Sequence, residues 1–219
     1  LQQYLKLLNN LDVEDKEEII NKIETNIGKI LYDINPESAI NYLSNVVDYA
    51  NKRNNIVDLI DLSGYLLRSC NLTNNYLGAI ETVDLVLKNL PVNQELQKGL
   101  IKSKKLNALF KLGNYEEIIN ISQNEIIFNI ENELYKHIEN ETKLEILYNS
   151  WLETNIYLLS SLAIVDNEKF FKEYEKVISN ITPQEESDKV FGYTNYCIEK
   201  IYLSKAIAYT VRGDISNSN

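Results

Sequence analysis

The sequence predicts an all-α fold, and three observations carry that expectation. Turn-formers are scarce. The chain has 7 Gly and 3 Pro, and the prolines at 36, 91 and 183 leave stretches of 54 and 91 residues between them. Sheet proteins of this size spend Gly and Pro on many tight turns, whereas long helices need few. Side chains also recur at helical spacing: Ile56, Leu59, Ile60, Ser63, Leu66, Leu67 and Cys70 trace one stripe, and Val83, Val86, Leu87 and Leu90 trace a second. Finally, a short segment repeats. Asn74-Asn75-Tyr76-Leu77-Gly78-Ala79-Ile80, Gly113-Asn114-Tyr115-Glu116-Glu117-Ile118-Ile119 and Asn35-Pro36-Glu37-Ser38-Ala39-Ile40 each follow one apolar helical stretch and precede another. Ala39 to Ala79 is 40 residues and Ala79 to Ile118 is 39.

The elements follow in order. Residues 1–9 read as a helical remnant or linker, and a first helix covers 13–33, with Asp12 as its N-cap and Asp15 in its first turn. The next helix covers 36–53, capped by Asn35, with Pro36 at the first helical position where a missing N–H costs nothing. Helices over 56–72 and 75–90 form a second pair, and helices over 94–112 and 115–138 a third. A fourth pair covers 141–165 and 167–180, joined at Asp166-Asn167-Glu168. A last helix over 186–212 leads to a turn at Gly213, and its partner helix is missing from the sequence. From that gap and the absence of any Met, the expectation is a piece of a longer protein, with a homodimer contact expected through the last helix.

The joints carry a family resemblance. Lys111-Leu112-Gly113-Asn114-Tyr115-Glu116-Glu117 is similar to the turn between the two helices of a tetratricopeptide repeat. Tyr76, Ala79, Val83, Val86 and Pro91 stand at that family's spacing in the preceding unit. Gly or Asn closing the first helix can take the left-handed conformation that stops it. The match covers nearly the whole chain and is strongest over 56–127. Ser63 and Leu67 replace the large aromatic and the Gly usual in the first helix, and the period of about 40 exceeds the usual 34. The chain thus resembles the long-period variety found in bacterial regulators. The resemblance implies one domain over 1–219, a right-handed superhelical solenoid of antiparallel helix hairpins. About four and a half repeats are expected, at 13–53, 56–91, 94–138, 141–181 and 186–219.

Composition narrows the function. With 22 Lys+Arg against 32 Asp+Glu the net charge is -10, so the chain offers little of the basic footprint that nucleic acids require. Lys102-Ser103-Lys104-Lys105 is a local basic run, expected to be a solvated helix face. The longest apolar run, Ile156 to Val165, is interrupted by Ser160 and Ser161 and is too short to span a bilayer. Cys70 and Cys197 lie far apart among apolar neighbours, which suits buried thiols in a reducing cytoplasm. His137 is the only histidine, there is no Gly-rich phosphate loop, and pairs such as Glu116-Glu117 and Glu185-Glu186 point in diverging directions on a helix. These residues suggest no metal, no cofactor and no enzyme.

A helical repeat of this kind binds through the concave face lined by its first helices. The register places Glu24 and Gly28, Asp61, Gly64, Arg68 and Asn71, Ser103, Asn107 and Lys111, Asn155 and Leu159, and Lys200 on that face. Arg68, Asn71, Asn107, Lys111 and Asn155 are the candidates for gripping an extended peptide or protein, because an amide both donates to C=O and accepts from N–H. A chaperone-type carboxylate clamp would need Lys and Asn where Glu24 and Gly28 stand. The expected role is a peptide- or protein-binding sensor of a cytoplasmic bacterial regulator. A passive scaffold, or the sensory region of a multidomain signalling enzyme, is the alternative.

Overall fold

The computed structural model describes residues 15–134, 141–181 and 192–213, and all regular structure in them is helical. Asp12, His137, Glu185-Glu186 and the turn after Gly213 lie outside the described residues. The chain divides into two compact units, Leu1–Pro91 and Val92–Asn219.

The first unit holds α1 (Lys16–Ile34), α2 (Pro36–Lys52), α3 (Ile56–Leu72) and α4 (Tyr76–Asn89). Asn35 caps α2 as expected: its side-chain oxygen accepts from Ser38 N–H at 3.1 Å, and Pro36 follows at the first helical position. Asp15 differs from expectation. It precedes α1 at φ 66 and makes no side-chain capping bond, so it stands before the first turn and not within it.

The joints repeat more often than the pairs do. Asn54 ends α2 at φ 53, and Asn55 N–H reaches back to Ala50 O at 3.0 Å. Asn74 ends α3 at φ 58, and Asn75 N–H reaches Cys70 O at 2.8 Å. The second asparagine then starts the next helix, Asn55 accepting from Asp58 N–H and Asn75 from Gly78 N–H. Each Asn-Asn pair is therefore both a left-handed stop and an N-cap. Asn is among the few side chains that tolerate that conformation.

Burial closes the unit. Leu43, Val46 and Val47 of α2, Leu59 and Leu66 of α3, and Val83 and Val86 of α4 are buried, each worth about 1.5–3 kcal/mol by transfer alone. Ala39 and Ala79, 40 residues apart, are fully buried at matching places on α2 and α4. Gly28 departs from expectation, since it does not lie on an open face. A Cβ there would stand 2.7 Å from Leu43 Cδ2, so α1 and α2 approach through the missing side chain.

The second unit holds α5 (Glu95–Ser103), α6 (Leu106–Lys111), α7 (Tyr115–Ile121), a π-helical turn (Ser122–Ile126), α8 (Ile127–Leu134), α9 (Glu141–Val165), α10 (Asn167–Ile181) and α11 (Gly192–Arg212). The helix expected over 94–112 is broken at Lys104-Lys105, where i→i−3 bonds run from Lys104 N–H to Ile101 O and from Lys105 N–H to Lys102 O. Its basic run is consumed by carboxylates. Lys102 pairs with Glu125, Lys104 with Glu153 at 3.8 Å and Lys105 with Glu117 at 3.3 Å. The helix expected from 115 continues through Leu134 but widens at the π-helical turn. Gly113 precedes it at φ 77, with Asn114 N–H on Leu109 O at 2.9 Å, the same stop as in the first unit.

α9 is the centre of this unit. It packs against α6, α7, α8, α10 and α11, and Leu147, Trp151, Leu152, Leu158, Leu159 and Leu162 are buried on different sides of it. A helix apolar all round belongs inside a core, which accounts for the long apolar run in its second half. Asp166 caps α10 through Lys169 N–H, and Asn167 ties it to Ala163 O and Ala208 O at 3.2 and 2.9 Å. Among the described residues no helix is long and apolar enough to cross a membrane.

Candidate functional site

Within each unit the first helices of successive pairs lie against one another: α1 on α3, α5 and α6 on α9, and α9 on α11. Two places in these units gather chemistry, and only the first of them lies on neighbouring first helices.

The first is the α1/α3 face. Lys29 Nζ donates to Asp61 Oδ2 at 2.8 Å and lies 4.8 Å over the Tyr65 ring. Arg68 donates to Asp33 Oδ1 at 3.2 Å and lies 5.2 Å over the Tyr32 ring. The two rings meet edge to face at 5.0 Å. Each helix thus contributes one cation, one tyrosine and one carboxylate, and each cation is shared between the partner helix's acid and its ring. The hydrogen bond and charge of Asp61 hold the Lys29 ammonium above its usual range, and Asp33 does the same to the Tyr32 phenol. Arg68 and Asp61 remain mostly exposed, while Lys29, Tyr32 and Tyr65 are half-buried, so Arg68 is the accessible cation of this face. Tyr and Arg dominate protein-binding hot spots because they combine broad contact area with directed donors.

The second is a cleft of about 190 Å³ in the second unit. Gln123, Ile127 and Glu131 line it from the π-helical turn and α8, four residues apart on one face. Trp151, Asn155 and Leu158 line it from α9, and Glu173, Lys176, Val177 and Asn180 from α10. α5 packs on the π-helical turn. A Cβ on Gly99 of α5 would stand 3.4 Å from Glu125 O. Such π-helical insertions are often found at functional sites. Trp151 Nε1 donates to Glu131 Oε1 at 3.1 Å, and Lys169 Nζ to Gln123 Oε1 at 2.8 Å. The Trp151 ring stacks on Tyr148 at 5.9 Å, and burial pushes the Tyr148 phenol up to about 12.

The five candidates from the sequence fall in both units. Arg68 is engaged with Asp33 and Tyr32, and Asn71 is half-buried one turn further along α3. Asn107 is half-buried and accepts from Tyr157 Oη–H at 3.3 Å, which links α6 to α9. Lys111 is exposed at the end of α6. Asn155 is only 2% exposed, donates to Trp151 O at 2.8 Å and lines the cleft. Ser103 and Leu159, expected on an open face, are buried: α5 packs against α8, the π-helical turn and α9, and α9 is covered on several sides. Glu24 accepts from Asn45 at 3.0 Å.

Sequence reasoning did not single out Lys29, Tyr32, Tyr65, Glu131, Trp151 or Glu173. A signal existed for the first group, in the i, i+3, i+4 spacing of Lys29, Tyr32 and Asp33 on a first helix. None existed for the cleft, because its walls come from residues up to 57 positions apart, from Gln123 to Asn180. Among the described residues, no three His, Cys, Asp or Glu gather as a metal-binding group. Compared with known proteins, the chain matches no family model, no curated protein and no solved structure.

Proposed function

We propose that this chain is a tetratricopeptide-like interaction segment that takes a peptide or protein partner, as the sensing part of a cytoplasmic bacterial regulator. The observation that carries the reading is the α1/α3 face, where two neighbouring first helices hold half-buried Tyr32, Tyr65 and Lys29 and exposed Arg68 in one lattice. The cations there are already spread between rings and acids, so they hold geometry while their outer faces stay open. A peptide laid across the two helices meets rigid aromatic area and fixed donors, which lowers the ordering cost of binding. Repeated helix joints and small buried residues in the second helices support the repeat reading of the same face. The function is recognition without chemistry.

The test is selection from a phage-displayed random peptide library on the immobilised chain, followed by affinity measurement on Arg68→Ala and Lys29→Ala, both on the α1/α3 face. Enriched peptides that lose about tenfold or more in affinity with Arg68→Ala support the reading. A library that yields no enrichment, or peptides indifferent to both substitutions, removes it.

A further inference from the structure

The cleft of the second unit is richer in acceptors than in donors. Among the lining residues Glu131 and Glu173 set two carboxylates against one ammonium, Lys176, while the Lys169 ammonium is spent on the lining Gln123 at 2.8 Å. The Trp151 indole N–H fixes Glu131, so that carboxylate has a set position before any ligand arrives. Glu173 makes no salt bridge among the described residues, although Lys176 stands one turn along the same helix. Asn155 is a third acceptor. It is 2% exposed, its amide nitrogen is committed to Trp151 O, and its side-chain oxygen has no hydrogen-bond partner among the described residues. Leu158 and Val177 supply an apolar wall.

We propose that this cleft binds a primary α-ammonium group carrying an apolar side chain. An ammonium brings three N–H donors and one positive charge, and three acceptors with a lining charge of −1 answer both. A carboxylate-only or phosphate ligand meets the wrong sign here. The side chain lies against Leu158 and Val177, where its burial adds to the charge term. Two sources present this chemistry, a free amino acid and the first residue of a peptide. Only the second rests on the peptide-binding reading above.

Trp151 is the chain's only tryptophan and touches the cleft, so its emission reports occupancy of the intact chain directly. The ligands to titrate are L-leucine, L-leucinamide, Leu-Ala-Ala-amide and N-acetyl-leucinamide. Saturable shifts with the ammonium-bearing compounds, and none with the acetylated one, are expected. Glu173→Gln should weaken binding about tenfold while leaving the Trp151–Glu131 bond, and hence the probe, in place. Far-UV circular dichroism confirms that this half-buried substitution keeps the fold, and Asn155→Asp, which adds a negative charge, is the second variant, expected to tighten binding. Equal binding of N-acetyl-leucinamide, or indifference to Glu173→Gln, overturns the proposal. Response to leucine and leucinamide without the tripeptide supports an amino-acid site and counts against the peptide source. Silence from all four, with library peptides still binding, overturns the cleft and leaves the peptide reading standing.

Discussion

Gly28 on α1 packs directly onto Leu43 of α2, with the place of its absent Cβ only 2.7 Å from Leu43 Cδ2. Leu43 is fully buried, and its Cγ stands only 2.8 Å from the same place. Gly64 on α3 is the opposite case, with nothing within 4 Å of its added Cβ. Gly28→Ala should destabilise by about 1–3 kcal/mol because overpacking outweighs the gain in helix propensity. Gly64→Ala should stabilise by about 0.5–1 kcal/mol because only propensity changes. Urea unfolding of both variants checks the contrast, and the same sign for the two would contradict the packing described.

The Asn-Asn joints make a second prediction. Asn74 sits at φ 58, where a β-branched residue is strained, so Asn74→Val should cost about 1–2 kcal/mol and Asn74→Gly little or nothing. Asn75→Ala should cost about 1 kcal/mol through the lost bond to Gly78 N–H. Thermal unfolding followed by circular dichroism measures both, and an Asn74→Gly variant as stable as the wild type while Asn74→Val is not identifies the left-handed strain.

Ser161 of α9 is fully buried, and its hydroxyl has no hydrogen-bond partner among the described residues. Ser161→Ala should therefore stabilise by about 1 kcal/mol, removing an unsatisfied polar group and adding helix propensity. A loss of stability in chemical denaturation would mean that the hydroxyl is bonded after all.

Arg68→Ala should barely alter stability, by less than about 1 kcal/mol, because its ion pair with Asp33 is exposed. Differential scanning calorimetry at low and high salt tests this. A small effect also makes any loss of peptide affinity in that variant a statement about binding.

Cys70 gives a pH signature. Burial raises its thiol from 9.0 to about 11. The folded state therefore holds the proton more tightly than the unfolded chain, and this contribution is fully present below pH 9 and lost as pH rises towards 11. The stability advantage of the wild type over Cys70→Ala should narrow across that window. A gap that stays constant from pH 8 to 10.5 in urea titrations would show that the thiol is not shielded.

Helix content and most helix ends were legible in the sequence, because propensity, capping and periodicity act over a few residues. The start of α2 at Pro36, both ends of α3 and the span of α9 follow from Asn caps, left-handed stops and apolar spacing that a reader of the letters can see. What the letters do not carry is where one helix meets another. The break at Lys104-Lys105 accompanies carboxylates on α7, the π-helical turn and α9 that engage the lysines around it. The burial of Asn155 depends on how many neighbours α9 collects, and the cleft beside it needs three segments at once. Local sequence set the helices because their hydrogen bonds close within four residues. Tertiary packing decided the surfaces, because shape and charge there arise only between segments that distance along the chain leaves independent.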